Sequence, residues 1–307
     1  MKRRMFLQSA AAAAALWSLS RTQALAEVLQ ADAAPARGLD AITGDGKEVT
    51  LSPRALADLR ARLRGRLLLA QDDGYDDARR ILSPSFDRYP ALVVQPAGTS
   101  DISAAVEFAQ EHGGLLTAVK CGGHSYSGQS TCDRGLQIDL SRFRHVRIDP
   151  GARTAWAAGG CLLGAIDHET AAHDLATPLG TVSHTGVGGL VTGGGFGRLA
   201  RRYGLAVDNV KSVQVVTADG RLRRADAEEN PDLYWGVRGG GGNFGIVTSF
   251  EFALHPMNRQ VLGGKLIFPI AKMREALTLY GEYMPEAPDE LSLDFVIAQP
   301  PGDQPGV

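Results

Sequence analysis

The residues best equipped for chemistry lie in one short run, Lys120-Cys121-Gly122-Gly123-His124-Ser125-Tyr126-Ser127-Gly128. Two glycines free the backbone, and a histidine with hydroxyl side chains closes the loop. Consecutive glycines let main-chain N–H groups turn toward one point, which makes a concave nest for an anionic phosphate. A histidine fixed beside such a nest can act on whatever molecule the phosphate belongs to. Two further glycine clusters follow, Gly180 to Gly197 and Arg238 to Val247. The 37 glycines are bunched in these places and not spread as in low-complexity sequence, which points to sites.

Other chemistries fit less well. A dinucleotide fingerprint needs G-x-G-x-x-G at a strand-to-helix turn. The run Gly186-Val187-Gly188-Gly189-Leu190-Val191 misses the third glycine and lies far from the best βαβ unit. The second cluster reads better as a backbone wall against a flat ligand. His168 and His173 superficially resemble a zinc-protease helix, but five residues turn them about 140° apart, so no metal site is predicted.

The elements that position the first loop read as a βαβ unit. Ala91 to Val94 is a buried strand, and Thr99 or Ser100 caps a helix with Ile102, Ala105, Val106 and Ala109 on one face. Gly113-Gly114 ends that helix, and Leu115 to Val119 is the next strand, so the loop sits at a strand's carboxyl end, where α/β layers bind ligands. Ahead of it, Ser52-Pro53 starts an amphipathic helix and Tyr75 to Ile81 forms a short one. Behind it come strands Leu136 to Leu140, His145 to Ile148 and Thr154 to Ala158, then a helix from Leu162 to His173. A strand Ser212 to Thr217, an Asp219-Gly220 hairpin turn, a helix after Asn230 and a strand to Leu254 complete this part. Beyond it, a strand Gly264 to Phe268, a helix Ala271 to Tyr283 and a strand Leu291 to Ala298 are predicted.

The composition of the 307 residues, 44% hydrophobic and 21% charged with net charge −2, suits one large or two medium globular domains. It offers no basic footprint for nucleic acid. The densest basic run past the N-terminus, Arg198 to Arg202, reads as a solvated helix face. At the N-terminus, Lys2-Arg3-Arg4-Met5-Phe6-Leu7-Gln8 resembles a twin-arginine signature, followed by an apolar stretch and an Ala24-Leu25-Ala26 cleavage site. The expectation is export to the periplasm or beyond, with no membrane span in the mature chain. That route carries folded proteins, commonly with a cofactor already loaded. Cys121 and Cys132 flank the loop and could pair, and Cys161 reads as a buried small hydrophobe.

Four motifs, CGGHSYSG at 121–128, TGVGGLVTGGGFG at 185–197, YGLAVDNV at 203–210 and NPDLYWGVRGGGGNFGIVTSFEF at 230–252, together resemble the FAD-binding domain of flavoproteins of the vanillyl-alcohol-oxidase (PCMH-type) fold. The berberine-bridge-enzyme-like and hexose or nicotine oxidase branch is the nearest. The resemblance implies an α+β fold: a PCMH-type domain of two α/β subdomains, then the start of an antiparallel-sheet substrate domain. The implied division is a signal at 1–26, a lead-in at 27–85, the FAD-binding domain at 86–257 and an incomplete substrate domain at 258–307. It further implies FAD joined to His124 through its 8α-methyl by a single link, since Val182 stands where some relatives add a cysteine tether. Gly122, Gly123, Ser125 and Gly128 would hold the pyrophosphate; Gly186, Gly188, Gly189 and Gly194 would face it; Ile246 and Val247 would line its groove. His184 and Thr185 would lie toward substrate or oxygen. The implied activity is hydride transfer from a C–H beside an alcohol, sugar hemiacetal or amine to flavin N5, with oxygen or another acceptor completing the cycle. Relatives continue through the substrate domain to their usual base, which is expected past Val307, so a completing polypeptide or a flavin-binding, catalytically incomplete chain is the alternative expectation.

Overall fold

The computed structural model describes residues 37–258 and 260–298. The twin-arginine segment and its cleavage site lie outside the described residues. The chain opens with an antiparallel hairpin, β1 (Leu39–Ile42) and β2 (Glu48–Leu51). Helix α1 (Pro53–Arg62) follows, capped as expected: the Ser52 hydroxyl accepts from the Ala55 N–H at 3.1 Å, and Leu56 and Leu59 are buried. Next come β3 (Arg66–Leu68), α2 (Tyr75–Arg79), β4 (Leu92–Gln95), α3 (Thr99–Glu111), β5 (Thr117–Lys120) and β6 (Leu136–Asp139).

These strands form a four-stranded sheet in the order β3-β4-β6-β5, with β4 and β5 both parallel to β6 and β3 antiparallel to β4. All four residues of β4 and of β6 are buried, which is why Leu92-Val93-Val94 and Leu136 to Ile138 show no polar alternation. The stretch read as a polar lead-in is thus part of the fold from Leu39 onward, since β3 edges this sheet and Leu51, Leu56, Leu59 and Leu67 share its core. Two local expectations are corrected. Neither Thr99 nor Ser100 caps α3; the cap is Gly98, and the buried Asp101 carboxylate organises the helix start by accepting from the N–H groups of Ala97, Arg64 and Gly65 at 2.8, 3.0 and 2.9 Å. The strand expected from Leu115 starts at Thr117, because Leu115 instead bridges Thr43 and the Leu116 N–H is bound to the Ile42 carbonyl.

The second unit carries β7 (Val146–Asp149), β8 (Thr154–Ala158), α4 (Leu163–Ala171), β9 (Leu175–Ala176), α5 (Val187–Thr192), α6 (Ala200–Tyr203), β10 (Val210–Val216), β11 (Leu222–Asp226), α7 (Pro231–Val237), β12 (Ile246–Ala253) and β13 (His255–Pro256). Its main sheet is antiparallel in the order β11-β10-β12-β8-β7. The Asp219-Gly220 hairpin turn joins β10 to β11, with Gly220 at φ +73°. One apolar core runs through both units, from Ala41 to Leu254, with Phe250 and Phe252 of β12 buried at its centre.

Past β13 the expectations change. Helix α8 (Met273–Tyr283) forms, but the predicted strands 264–268 and 291–298 pair with nothing among the described residues. A strand persists by its ladder, and no partner strand is offered here. Leu266, Ile267, Phe268, Val296 and Ile297 consequently stay exposed. The basic run Arg198 to Arg202 is not simply a solvated face. The Arg201 guanidinium donates to the carbonyls of Met284 and Ala287 at 3.0 and 2.8 Å, and Arg198 and Arg202 pair with Asp294 and Glu290 at 2.5 and 3.9 Å.

Candidate cofactor site

The first glycine loop leaves the carboxyl end of β5 and lies directly against the second cluster. A side chain on Gly122 would put its Cβ 2.3 Å from the Gly186 main-chain nitrogen, so two backbones touch where no other residue type fits. Gly123, at φ +71°, turns the chain outward. Across 123–127 the main-chain N–H groups donate to no acceptor among the described residues, although Gly123 is buried and buried N–H groups are ordinarily paired. Ser125 Oγ accepts from the Gln129 N–H at 3.1 Å, and the Gly128 N–H reaches the Ser125 carbonyl at 3.4 Å. An outward loop of unpaired donors fits a diphosphate and carries no competing carboxylate.

The second cluster, read from sequence as a backbone wall against a flat ligand, is not extended throughout. It folds in part into α5, which takes in Gly188 and Gly189, while Gly186 precedes it and the buried Gly194 follows at φ +109°. A Cβ on Gly188 would approach the Gly159 carbonyl to 2.9 Å, and one on Gly159 would meet the Val247 carbonyl at 2.0 Å. The third cluster joins them: the Gly239 N–H donates to the Thr192 carbonyl at the end of α5, at 3.0 Å. Ile246 and Val247 begin β12 and are buried in the core. Sequence reading therefore names three clusters that the fold brings into contact, and misses Gly159, whose signal was the Gly159-Gly160 pair after β8.

His124 stands at the junction. Its Nε2 lies 2.6 Å from His184 Nδ1, the rings are 4.6 Å apart between centroids, and Thr185 Oγ1 lies 3.4 Å from its Nδ1. Burial first, and the neighbouring positive charge of His184 second, hold the His124 pKa below the ordinary imidazole value. The shift is toward the uncharged form of its imidazole. Val182, where a second tether would need a thiol, is 41% exposed. Cys121, Cys132 and Cys161 are all free, so Cys121 and Cys132 are not paired here; burial pushes the Cys121 and Cys132 thiols up to about 11, which makes them inert. Cys161 is fully buried, as a small hydrophobe should be.

Beneath the loop lies a polar support that sequence reading gave no role. The buried Lys120 ammonium sits 3.6 Å from the buried Asp139 carboxylate and donates to the carbonyls of Asp77, Ala78 and Arg80 around the end of α2. Two residues on, the Leu82 N–H donates to the Gly123 carbonyl at 2.9 Å, so this cluster fixes the loop from below. Elsewhere, His168 is exposed on α4 beside Glu169 and His173 falls past that helix's end. Among the described residues no group of three or more His, Cys, Asp or Glu side chains is placed to hold a metal ion, and no helix is long and apolar enough to cross a membrane.

Comparison with known proteins agrees with this geometry. Residues 90–226 match the family model described as FAD binding domain. An FAD-linked oxidoreductase of Dictyostelium discoideum is 40% identical over 205 residues, covering 66% of this chain and 44% of that protein. The crystal structure of 6-hydroxy-D-nicotine oxidase from Arthrobacter nicotinovorans superposes with a TM-score of 0.69 at 31% identity, over 73% of this chain and 50% of that one. The xylooligosaccharide oxidase of Myceliophthora thermophila, in complex with xylobiose, superposes with a TM-score of 0.61 at 34% identity, over 66% and 43% of the two chains. The chain spans about half the length of the curated relatives it matches. With the FAD-binding-domain match spanning the βαβ unit and the second cluster, and the three clusters meeting at His124, this chain carries an FAD-binding domain of the PCMH-type fold and is similar to FAD-linked oxidoreductases.

Proposed function

We propose that this protein is an exported FAD-dependent oxidoreductase whose flavin is tethered covalently to His124. The observation that supports this reading best is the meeting of His124 with a loop of unpaired N–H donors, where three glycine clusters converge. When bound, FAD supplies two-electron chemistry, taking a hydride at N5 from a carbon beside an alcohol, sugar hemiacetal or amine and passing electrons to oxygen or another acceptor. The protein's own contribution is placement. Residues 122–128 would hold the diphosphate by main-chain N–H groups and the Ser125 hydroxyl. Gly186, Gly188, Gly189 and Gly194 would allow close approach from the facing side, and the Ile246-Val247 backbone would border the groove. His184 and Thr185 flank the tether. The domain division proposed is 1–26, 27–85, 86–257 and 258–307, with the 27–85 segment packing from Leu39 onward against the first sheet of the FAD-binding unit, and with a twin-arginine signal directing the mature chain to the periplasm or beyond. The substrate is a small molecule, in keeping with the nicotine and xylooligosaccharide oxidases to which this chain is similar.

Precipitating the purified protein in acid tests the tether. Yellow colour should stay with the pellet, and His124→Ala should release it to the supernatant. A colourless wild-type pellet overturns the covalent assignment. A second reading, a flavin-binding chain that does not turn over by itself, is favoured by the exposed apolar residues between Val261 and Ile297. Anaerobic addition of sugars, alcohols and amines separates the two. Bleaching of the flavin by one class identifies an enzyme, whereas bleaching by none, restored when downstream coding sequence is added, supports the second reading.

A further inference from the structure

Residues 82–89 run as a strap against the first glycine loop and take up carbonyls at both of its ends. The Leu82 N–H binds the Gly123 carbonyl at 2.9 Å. At the other end a single nitrogen of the Arg88 guanidinium, Nη1, donates to the carbonyls of Gly128 and Thr131, both at 3.0 Å. The Phe86 ring packs where a Cβ on Gly128 would strike it, and the Arg88 guanidinium stands 5.4 Å over that ring. The strap is itself held: the Arg88 carbonyl accepts from Arg79 Nη1 at 2.9 Å, and the Tyr89 N–H donates to the Asp133 carboxylate at 2.8 Å. Among the described residues Arg88 forms no ion pair, so these two carbonyls are its polar partners.

In a trans peptide the carbonyl and the N–H that follows it point opposite ways. Holding the Gly123 carbonyl on the strap side therefore turns the His124 N–H away from the strap, and holding the Gly128 carbonyl does the same to the Gln129 N–H. The Gln129 N–H meets Ser125 Oγ at 3.1 Å. A serine hydroxyl that accepts from a backbone N–H still has its own proton to donate. We propose that Arg88 is a positioning residue for the diphosphate of the cofactor: through the Gly128 carbonyl it orients the Gln129 N–H, which fixes Ser125 Oγ so that the hydroxyl proton is offered to a phosphate oxygen. The inference rests on the reading of residues 122–128 as the diphosphate loop.

Arg88 differs in this from its cationic neighbours. Lys120 also binds carbonyls, but those of Asp77, Ala78 and Arg80, and it faces Asp139. Arg79 is paired with Asp76 and Asp87. Arg88 Nη1 carries two protons and both are engaged, one per carbonyl, so the end of the loop cannot turn without breaking a charge-assisted bond. The Thr131 N–H also reaches the Gly128 carbonyl, at 3.4 Å, a longer bond that leaves Arg88 the stronger of the two restraints.

The test takes His124→Ala as parent, so that flavin washes out, and reads ADP binding by titration calorimetry. Arg88→Met in that parent should bind ADP about 10- to 100-fold more weakly, as on losing hydrogen bonds from a charged donor. Arg88→Lys, whose one ammonium nitrogen can also serve two carbonyls, should keep most of the affinity. Ser125→Ala should weaken ADP as well, and the double variant with Arg88→Met should lose less than the product of the two single losses, because both changes break one relay. In the parent, amide exchange at Gln129 should be slow and Ser125→Ala should speed it, a readout that stands even if Arg88→Met fails to fold. Parent-like ADP affinity in Arg88→Met, losses that multiply, or fast exchange at Gln129 in the parent overturns the role of Arg88 and leaves the diphosphate loop standing. A parent that binds neither ADP nor FAD overturns that loop's assignment and this inference together.

Discussion

Gly122 shows how a single missing side chain can define a site. Its Cα and Gly186 press backbone to backbone, and an added Cβ would sit 2.3 Å from one main-chain nitrogen and 2.8 Å from a Cα. Neither atom belongs to a flexible side chain that could swing aside. Gly122→Ala must therefore push the loop off the second cluster, at a cost of about 1–3 kcal/mol by analogy with overpacked cores. A urea-unfolding midpoint lowered accordingly, together with weakened FAD binding, is the expected outcome; an unchanged midpoint would show that the loop can slide freely. The glycine's identity was legible in the sequence, but its reason was not. The sequence pointed to a phosphate nest, and the structure adds a steric requirement set by a residue 64 positions away. The same holds for His124: its type and neighbours were readable, whereas its 2.6 Å contact with His184 depends on a tertiary path that no local pattern encodes.

At the scale of elements, what the sequence announced was whatever local chemistry decides. Ser52 and Pro53 begin α1, the apolar run at Leu92 marks β4, and Asp219-Gly220 turns the hairpin. What stayed hidden was decided by contact. The Gly-rich stretch at Val187 becomes helical despite glycine's low propensity, because Val187 and Val191 bury themselves in the core and the Val187 N–H is bound to the Cys161 carbonyl. The support under the first loop is of the same kind. Lys120 ends β5 and Asp139 ends the neighbouring β6, so parallel pairing in register places them side by side. Burial lowers the Lys120 pKa, with Asp139 acting in the opposite sense, and the ammonium also satisfies carbonyls at 77, 78 and 80. Lys120→Met would leave the Asp139 carboxylate buried with its cation gone, a change that costs about 3–5 kcal/mol in comparable pairs. The expected result is a large drop in the denaturation midpoint, accompanied by faster amide exchange at Leu82, whose N–H holds the Gly123 carbonyl. A midpoint within experimental error of wild type would mean that the pair adds nothing to the loop.

Across the whole molecule, two kinds of attachment can be told apart. One large apolar core draws on residues from Ala41 to Leu254, with a small separate cluster of Leu68, Tyr75, Ala78 and Val93, and no residue beyond Leu254 joins either among the described residues. Among its described residues the C-terminal segment has only Ala276 and Ala287 buried, and its helix α8 leaves Leu277 and Leu279 exposed. It is held to the flavin unit by polar contacts, chiefly the Arg201 fork on two carbonyls that end the segment's helical stretch, with ion pairs from Arg198, Arg201 and Arg202 around it. Exposed ion pairs contribute about 0–1 kcal/mol each, so the fork should dominate. Its planar geometry also explains why Arg201→Lys, which keeps the charge, would not preserve both bonds. Arg201→Ala should therefore release the segment without unfolding the rest. Limited chymotrypsin digestion should cut the variant faster than wild type between Phe268 and Phe295. The melting transition of the remaining core should move by no more than a few degrees, since a loss of about 1 kcal/mol shifts Tm by roughly 2–4 °C in a domain of this size. Lysine in the same place should behave nearly like alanine in the digestion. Equal cleavage rates for all three proteins would show that the segment is held by something other than this arginine.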